Sequence, residues 1–452
     1  DSPVIESATH NPVISDDIEI DNLKIKEGGS LTIQKAGSLK IKEHLINNGS
    51  LTMQSDSNEF SSLIVEGNSY GEVKHKSDSW NLGDNGSYSG NITYKRFVAD
   101  EALVGGSGEW DYIGSPVEGQ DLQSFITLHY TGNNSGTLAE HNGYVGIAPY
   151  DNSVSGGDAD TSLFYTYYQT NNGSGDLISG KGYLMATDNN HSPGTTMDFA
   201  GTVITGDHYF SVTDASSTNS NYGKFNLVSN PYPSYLNGNS RLDGTNNFLT
   251  INGVTNNNLH DSYAGIFVYD GNGTISTKTN ASTLNDSEDL YIAPGQGFFV
   301  AADESTKIVF TEAMQTYEGA DDFNGQNSNM QSNEVRLKLF NGDNMIESTE
   351  IFFIEGLTNG LDITWDGGNF NSDAALMTRL VEEDEGYGMA INAMGLDAME
   401  NAVIPLVINQ SAGQEFRINL FTATIPDPNV YLEDVEEGTF TNLYDGDFVY
   451  TP

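Results

Sequence analysis

The sequence predicts an all-β protein: a short N-terminal β-solenoid-like stack followed by tandem antiparallel β-sandwich modules of jelly-roll-like kind. Three observations predict this class. Apolar residues recur two apart in short runs, which places them on one face of a strand. Clusters of Gly, Asn, Ser and Asp separate the runs, and these residues favour turns because they tolerate or stabilise tight backbone conformations. No helical apolar pattern of period 3.6 persists for ten residues. The chain has 452 residues, 37% of them hydrophobic, with 49 Gly, 23 Tyr and 21 Phe. That supply of large apolar side chains is enough to fill sizeable cores, and the length suits roughly three domains of ~150 residues.

The elements follow in order. Residues 1–20 form an extended N-terminal segment in which apolar and polar residues alternate in places ("SPVIESATHNPVISDDIEI"). Such a segment is suited to adding to a neighbour's sheet edge. Residues 21–86 carry the repeats "LKIKEGGS", "LTIQKAGS", "LKIKEHLINNGS" and "LTMQSDS", and "SSLIVEGNS" continues them. Their leading leucines, Leu23, Leu31, Leu39 and Leu51, are spaced by 8, 8 and 12. One such unit cannot bury its own apolar face, so stacking is expected; a plain meander is the alternative.

Residues 87–215 and 216–318 read as two copies of one sandwich module. Trp110 and Phe225, Pro116 and Pro231, and Gly182 and Gly297 each lie 115 residues apart. "GYVGIAPYD" is echoed by "AGIFVYDGN", and "GKGYLMATD" by "GQGFFVAAD". In the alternative reading the two halves pack as one composite fold. Within the second copy, "KFNLVSNPYPSYLNG" reads as a strand stopped by a proline corner, since proline donates no ladder hydrogen bond. Pro116 and Pro231 are then equivalent punctuation, with Tyr232 and Tyr235 as local packing or surface choices. A polar linker covers residues 319–334, and residues 335–452 form a C-terminal jelly-roll-like β-sandwich opening on the strict alternation "VRLKLF". Within it, "DAALMTRLVE" suits either a short helix or a strand.

Charge narrows the function classes. With 63 acidic and 18 basic residues the formal net charge is -45, which repels nucleic acid and anionic membranes. There is no cysteine, so disulfides, thiolate metal sites and cysteine nucleophiles are excluded. No apolar run approaches the ~18 residues that a membrane-spanning helix needs. The chain starts at Asp1 without a Met or a leader pattern, and reads as a processed or trimmed product.

Catalytic motifs fail on context. "GNSYG", residues 67–71, fits a nucleophile elbow but sits in a turn rather than between strand and helix. "GDLISGKG", residues 175–182, has Gly182 where a phosphate loop needs Ser or Thr, and Gln296 replaces Lys181 in the second copy. The eight histidines lack metal-ligand spacing and read as surface or turn residues. Calcium is the one cofactor the sequence suggests, with acidic solvated turns as the alternative reading of the same residues. "DITWDGGNFNSD" offers Asp362, Asp366, Asn369, Asn371 and Asp373, hard oxygen ligands on a bendable Gly-rich loop. Residues 151–160 and 285–289 are weaker candidates.

Several stretches resemble a known family. "FNLVSNPYPSYLN", "GIFVYDGNG" and "GQGFFVAAD" are similar to segments near the C-termini of large surface proteins of the Bacteroidetes exported by the type nine secretion system. "GSLTIQKAGSLKIKEHLINNGSLTMQ" resembles the short β-stack that often precedes them, and the third module resembles the jelly-roll-like domain usually placed before the sorting domain. That sorting domain is missing here, as is any preceding catalytic domain. The resemblance implies a non-enzymatic, secreted cell-surface protein of structural or adhesive type. Its expected partners are further copies of itself, another surface protein or a polysaccharide, without nucleic acid and without a direct membrane span. A calcium-dependent carbohydrate-binding protein is the alternative, and a hydrolase is the third.

Overall fold

The computed structural model describes residues 2–66, 91–101, 110–130, 137–269, 275–285, 290–317, 319, 333–426 and 429–451. The "GNSYG" stretch, His75 and most of the 285–289 and 319–334 stretches lie outside these residues. The chain is all-β, with its strands distributed over several sheets.

At the N-terminus successive strands alternate between two parallel sheets. Val4–Ile5, Asp17–Ile25, Ser38–Asn47 and Ser62–Val65 form one. Val13–Ile14, Ser30–Ile33, Ser50–Gln54 and Asn91–Ala99 form the other. Leu23 lies opposite Leu45, Leu31 opposite Leu51 and Leu39 opposite Leu63. Each leucine repeat therefore stacks on the repeat after next, and its immediate neighbour belongs to the opposite sheet. Leu31, Ile33, Leu51 and Met53 point between the sheets and are buried. The second sheet is completed by Gly194–Thr202, which runs antiparallel to Asn91–Ala99. One apolar cluster consequently runs from Ile5 to Val203.

The internal repeat is written into the backbone pairing. In the first copy Asp111, Tyr112 and Ile113 pair with Met185, Leu184 and Tyr183. In the second, Asn226, Leu227 and Val228 pair with Val300, Phe299 and Phe298, the same register displaced by 115 residues. The copies also meet each other reciprocally. Ile113 bridges Gln296 while Val228 bridges Lys181. Gly114 N donates to Gly295 O at 2.8 Å, and Ser229 N donates to Gly180 O at 2.9 Å. These contacts relate the two strand pairs by an approximate two-fold axis. The glycines at the crossing have a steric reason: a Cβ on Gly297 would sit 2.7 Å from the Tyr112 carbonyl carbon and oxygen, and one on Gly182 would sit 2.6 Å from Leu227 Cγ.

The proline corner lies in the interior. Every residue from Leu227 to Leu236 is buried. The Asn230 side-chain amide donates to the carbonyls of Ser234, Ile292 and Ala293, and its Oδ1 accepts from Tyr232 N at 3.0 Å. Beyond the corner, Pro233 O accepts from Leu63 N at 2.7 Å, so the turn satisfies an edge donor of the N-terminal stack. Phe60 and Tyr235 meet edge-to-face at 6.2 Å. Buried Arg96 donates to Pro294 O at 2.8 Å and to Phe97 O at 2.7 Å while lying 4.2 Å above the Phe60 ring.

Local structure departs from expectation at a helix, a buried histidine and a mixed sheet, and decides one open alternative. Leu122–His129 is an eight-residue helix capped by Asp121, whose Oδ1 accepts from Ser124 N at 2.7 Å. Its Leu122, Phe125, Ile126 and His129 share the buried face, so His129 is an interior residue rather than a surface one. Asp198 N donates to His129 Nε2 at 3.0 Å, which leaves the ring proton on Nδ1. In the C-terminal module, "DAALMTRLVE" contributes the strand Leu376–Thr378. The sheet there is also mixed rather than wholly antiparallel. Glu350–Phe353 runs parallel to Ile391–Met394, because the connection of residues 354–388 is long enough for a crossover. Glu334–Asn341 pairs on one side with Asn344–Phe353 and on the other with Phe416–Ala423, which in turn pairs with Phe448–Tyr450.

Candidate functional site

A cleft of about 410 Å³ opens where the two repeats and the C-terminal module meet. The first repeat supplies Tyr112 from the strand Asp111–Ile113, Tyr150, and Phe164 and Tyr165 from a short helical turn and its end. Asp160 holds that turn by accepting from Ser162 N at 3.1 Å and Ser162 Oγ at 2.6 Å. The second repeat supplies Phe299 from the strand Gly297–Ala301, with Tyr222 and Ile275. The third module adds Ile346, Glu347, Asn369, Phe370 and Asn371.

The rings form a continuous wall. Phe299 lies 5.1 Å from Tyr112, 4.8 Å from Tyr150 and 5.2 Å from Phe370. Phe370 also packs 4.2 Å from Phe225 and 5.7 Å from Tyr222, which ties the third module to the second repeat. Edge-to-face and tilted contacts of this kind are favoured by the ring quadrupoles. The hydroxyls of Tyr112 and Tyr165 are 2.9 Å apart. Burial pushes the Tyr112 phenol up to about 12 and drives those of Tyr150 and Tyr165 well above their ordinary value. All three are therefore neutral hydrogen-bonding groups at ordinary pH. Glu347 is the one carboxyl among the described lining residues, and burial raises its pKa.

The calcium candidates divide into two hydrogen-bonded groups. Asp366 is fully buried, its two oxygens accepting from Asp362 N and Ala393 N, each at 2.7 Å. Its pKa is raised to about 7 by burial. Asp362 Oδ2 accepts from Thr358 N at 2.7 Å and Thr358 Oγ1 at 3.0 Å. In the second group Asn369 Oδ1 accepts from Asn371 N, and Asn371 Oδ1 from Asp373 N, both at 3.0 Å. These oxygens act as turn and strand acceptors, while Asn369 and Asn371 line the aromatic cleft. Among the described residues no group of three or more His, Asp or Glu is arranged to hold a metal ion.

Lys181 of the phosphate-loop-like stretch precedes the strand Tyr183–Met185, not a helix. Its carbonyl accepts from Ser229 Oγ at 3.0 Å, so the stretch serves the junction between repeats. The cleft itself was not legible as a site. Its aromatic residues are scattered from Tyr112 to Phe370, and strand aromatics ordinarily fill cores.

Among the described residues no helix is long and apolar enough to cross a membrane. No curated protein and no solved structure matches the chain. The chain belongs to the family described as Domain of unknown function (DUF8693), which matches residues 1–452.

Proposed function

We propose that this chain is a non-enzymatic, secreted cell-surface protein of structural or adhesive type, exported by a type nine secretion machinery. The observation that carries this reading is the way its parts are joined. A single aromatic cluster takes Tyr112 and Tyr150 from the first repeat, Phe225, Phe267 and Phe299 from the second, and Phe370 and Tyr387 from the third module. A second contact joins the N-terminal stack to the second repeat through Phe60, Tyr235 and Ala293. Buried aromatic junctions of this kind hold modules together, which suits a load-bearing or ligand-presenting surface protein. The acidic surface supports solubility outside the cell. In the cleft, a single carboxyl among the described lining residues supports binding over glycoside hydrolysis, which ordinarily needs two facing carboxyl groups.

Antibody labelling of intact and lysed source cells tests the reading, with electron microscopy of the native protein for self-association. Labelling of intact cells is expected. Signal confined to lysed cells overturns the surface assignment.

A further inference from the structure

We propose that the three-module cleft binds a neutral carbohydrate, an uncharged oligosaccharide presented by a cell surface or an extracellular polymer. The inference rests on the adhesive reading above and names the ligand class for it.

The walls favour such a ligand. Tyr112, Tyr150 and Phe370 each stand in ring contact with the buried Phe299 at the junction. Aromatic rings have electron-rich faces, and the weakly positive C–H groups on one face of a pyranose are attracted to such surfaces. Because the rings come from three modules already packed together, the cleft is pre-formed, and little ordering cost falls on binding.

The polar groups point the same way. The Tyr150 hydroxyl has no hydrogen-bond partner among the described residues, although burial disfavours its ionised form. Asn369 and Asn371 each have Oδ1 engaged by a backbone N–H. That fixes both amides and leaves their NH₂ groups as donors. Tyr222 OH also donates to Asn371 Oδ1, at 3.4 Å, and orients the same side chain. Thr161 adds an exposed hydroxyl at the rim. Closely spaced neutral donors and acceptors beside apolar rings match a polyol, whose hydroxyls both donate and accept. An aliphatic ligand would leave these groups unpaired.

Charge excludes acidic ligands. Among the described residues no Lys, Arg or His lines the cleft, and the chain carries a net charge of -45. A phosphate, sulfate or uronate would meet no counter-charge and a repulsive long-range field. A quaternary ammonium is the competing small ligand, since rings and a carboxyl also attract cations.

The test uses the intact chain and isothermal titration calorimetry. The probes are neutral hexasaccharides of α-1,4-glucose, β-1,3-glucose, β-1,4-glucose, β-1,4-mannose and β-1,4-xylose, with hexameric alginate and tetramethylammonium as contrasts. At least one neutral hexasaccharide is expected to bind with a sub-millimolar Kd, with alginate at least tenfold weaker. Tyr150→Phe and Asn371→Ala should each weaken that binding by at least fivefold while leaving the far-UV circular dichroism unchanged, and Tyr150→Phe should also leave melting unchanged. Tyr209→Phe, at an exposed position outside the cleft, should leave it unaltered. Absence of binding to all five neutral probes overturns the proposal. So does binding of tetramethylammonium alone, or binding indifferent to both cleft variants. Cell labelling reads the surface assignment separately, so a surface-exposed protein that binds none of the sugars refutes this inference alone.

Discussion

Replacing Gly297 with alanine tests the junction between the two repeats. The new Cβ would lie 2.7 Å from both the carbonyl carbon and the oxygen of Tyr112. Ordinary contact for such atoms is about 3.5–4 Å, so the gap is short by roughly an ångström. A side chain could rotate away, but the obstruction is backbone. Tyr112 is held in the strand Asp111–Ile113 by its pairing with Tyr183–Met185. Relief therefore requires the two strand pairs to separate, straining the Gly114 N to Gly295 O bond of 2.8 Å. Overpacking of this kind costs about 1–3 kcal/mol, and a weakened hydrogen bond adds about 1. The expected destabilisation is thus about 2–4 kcal/mol. The equivalent Gly182→Ala substitution meets Leu227 Cγ at 2.6 Å and Val228 O at 2.9 Å. Part of that obstruction is a movable side chain, so a smaller loss is expected. Gly446→Ala meets nothing within 4 Å and serves as the control. Urea unfolding followed by fluorescence, with the midpoint of the first transition as readout, ranks the three variants. If Gly297→Ala unfolds within ~0.5 kcal/mol of the control, the reciprocal junction is not tightly packed against Tyr112.

Three further outcomes are expected. Tyr232 is fully buried and its hydroxyl lies 2.7 Å from both Gly206 O and Phe310 O. Tyr232→Phe should therefore cost about 1–2 kcal/mol in urea unfolding, and no loss would show that the corner does not need this bond. Arg96→Met strips donors from the Pro294 and Phe97 carbonyls and should cost about 2–4 kcal/mol, partly offset by relief of guanidinium burial. An unchanged midpoint would deny Arg96 a role in joining stack and repeat. Asp366 has a folded-state pKa near 7 against an ordinary 3.8. The folded chain therefore holds a proton here that the unfolded chain has lost across that window. Its contribution to stability is full below pH ~4 and falls as pH rises through 7, by roughly 4 kcal/mol in all. Asp366→Asn removes the titration, so wild type minus variant stability should decline between pH 4 and 8; a flat difference would show that the carboxylate is ionised throughout.

Much of the fold follows from local patterns. Apolar residues two apart, turn clusters and the 115-residue repeat are properties of the sequence, and the repeat reappears in the register of Asp111–Ile113 and Phe225–Ser229. Even the missed helix carried a local signature. Asp121 precedes Leu122, Phe125 and Ile126, with His129 on the same face, a one-face helical spacing too short for a ten-residue window. The calcium loop was legible as a supply of oxygens, but whether oxygens face an ion or a backbone N–H depends on chain geometry. Here Asp366 spends both of its oxygens on Asp362 N and Ala393 N.

The sequence by itself determined the all-β class, the tandem repeat, the acidic character and the absence of thiol chemistry. Only the tertiary structure decided that the Asn-Pro-Tyr-Pro corner is interior, that Pro233 caps an edge of the N-terminal stack, and that rings from three modules enclose one cleft. The physical reason is range. Periodicity and turn chemistry act between residues a few positions apart. The cleft depends on contacts such as Tyr112 with Phe299 and Phe299 with Phe370, whose partners share no spacing that a linear pattern can register.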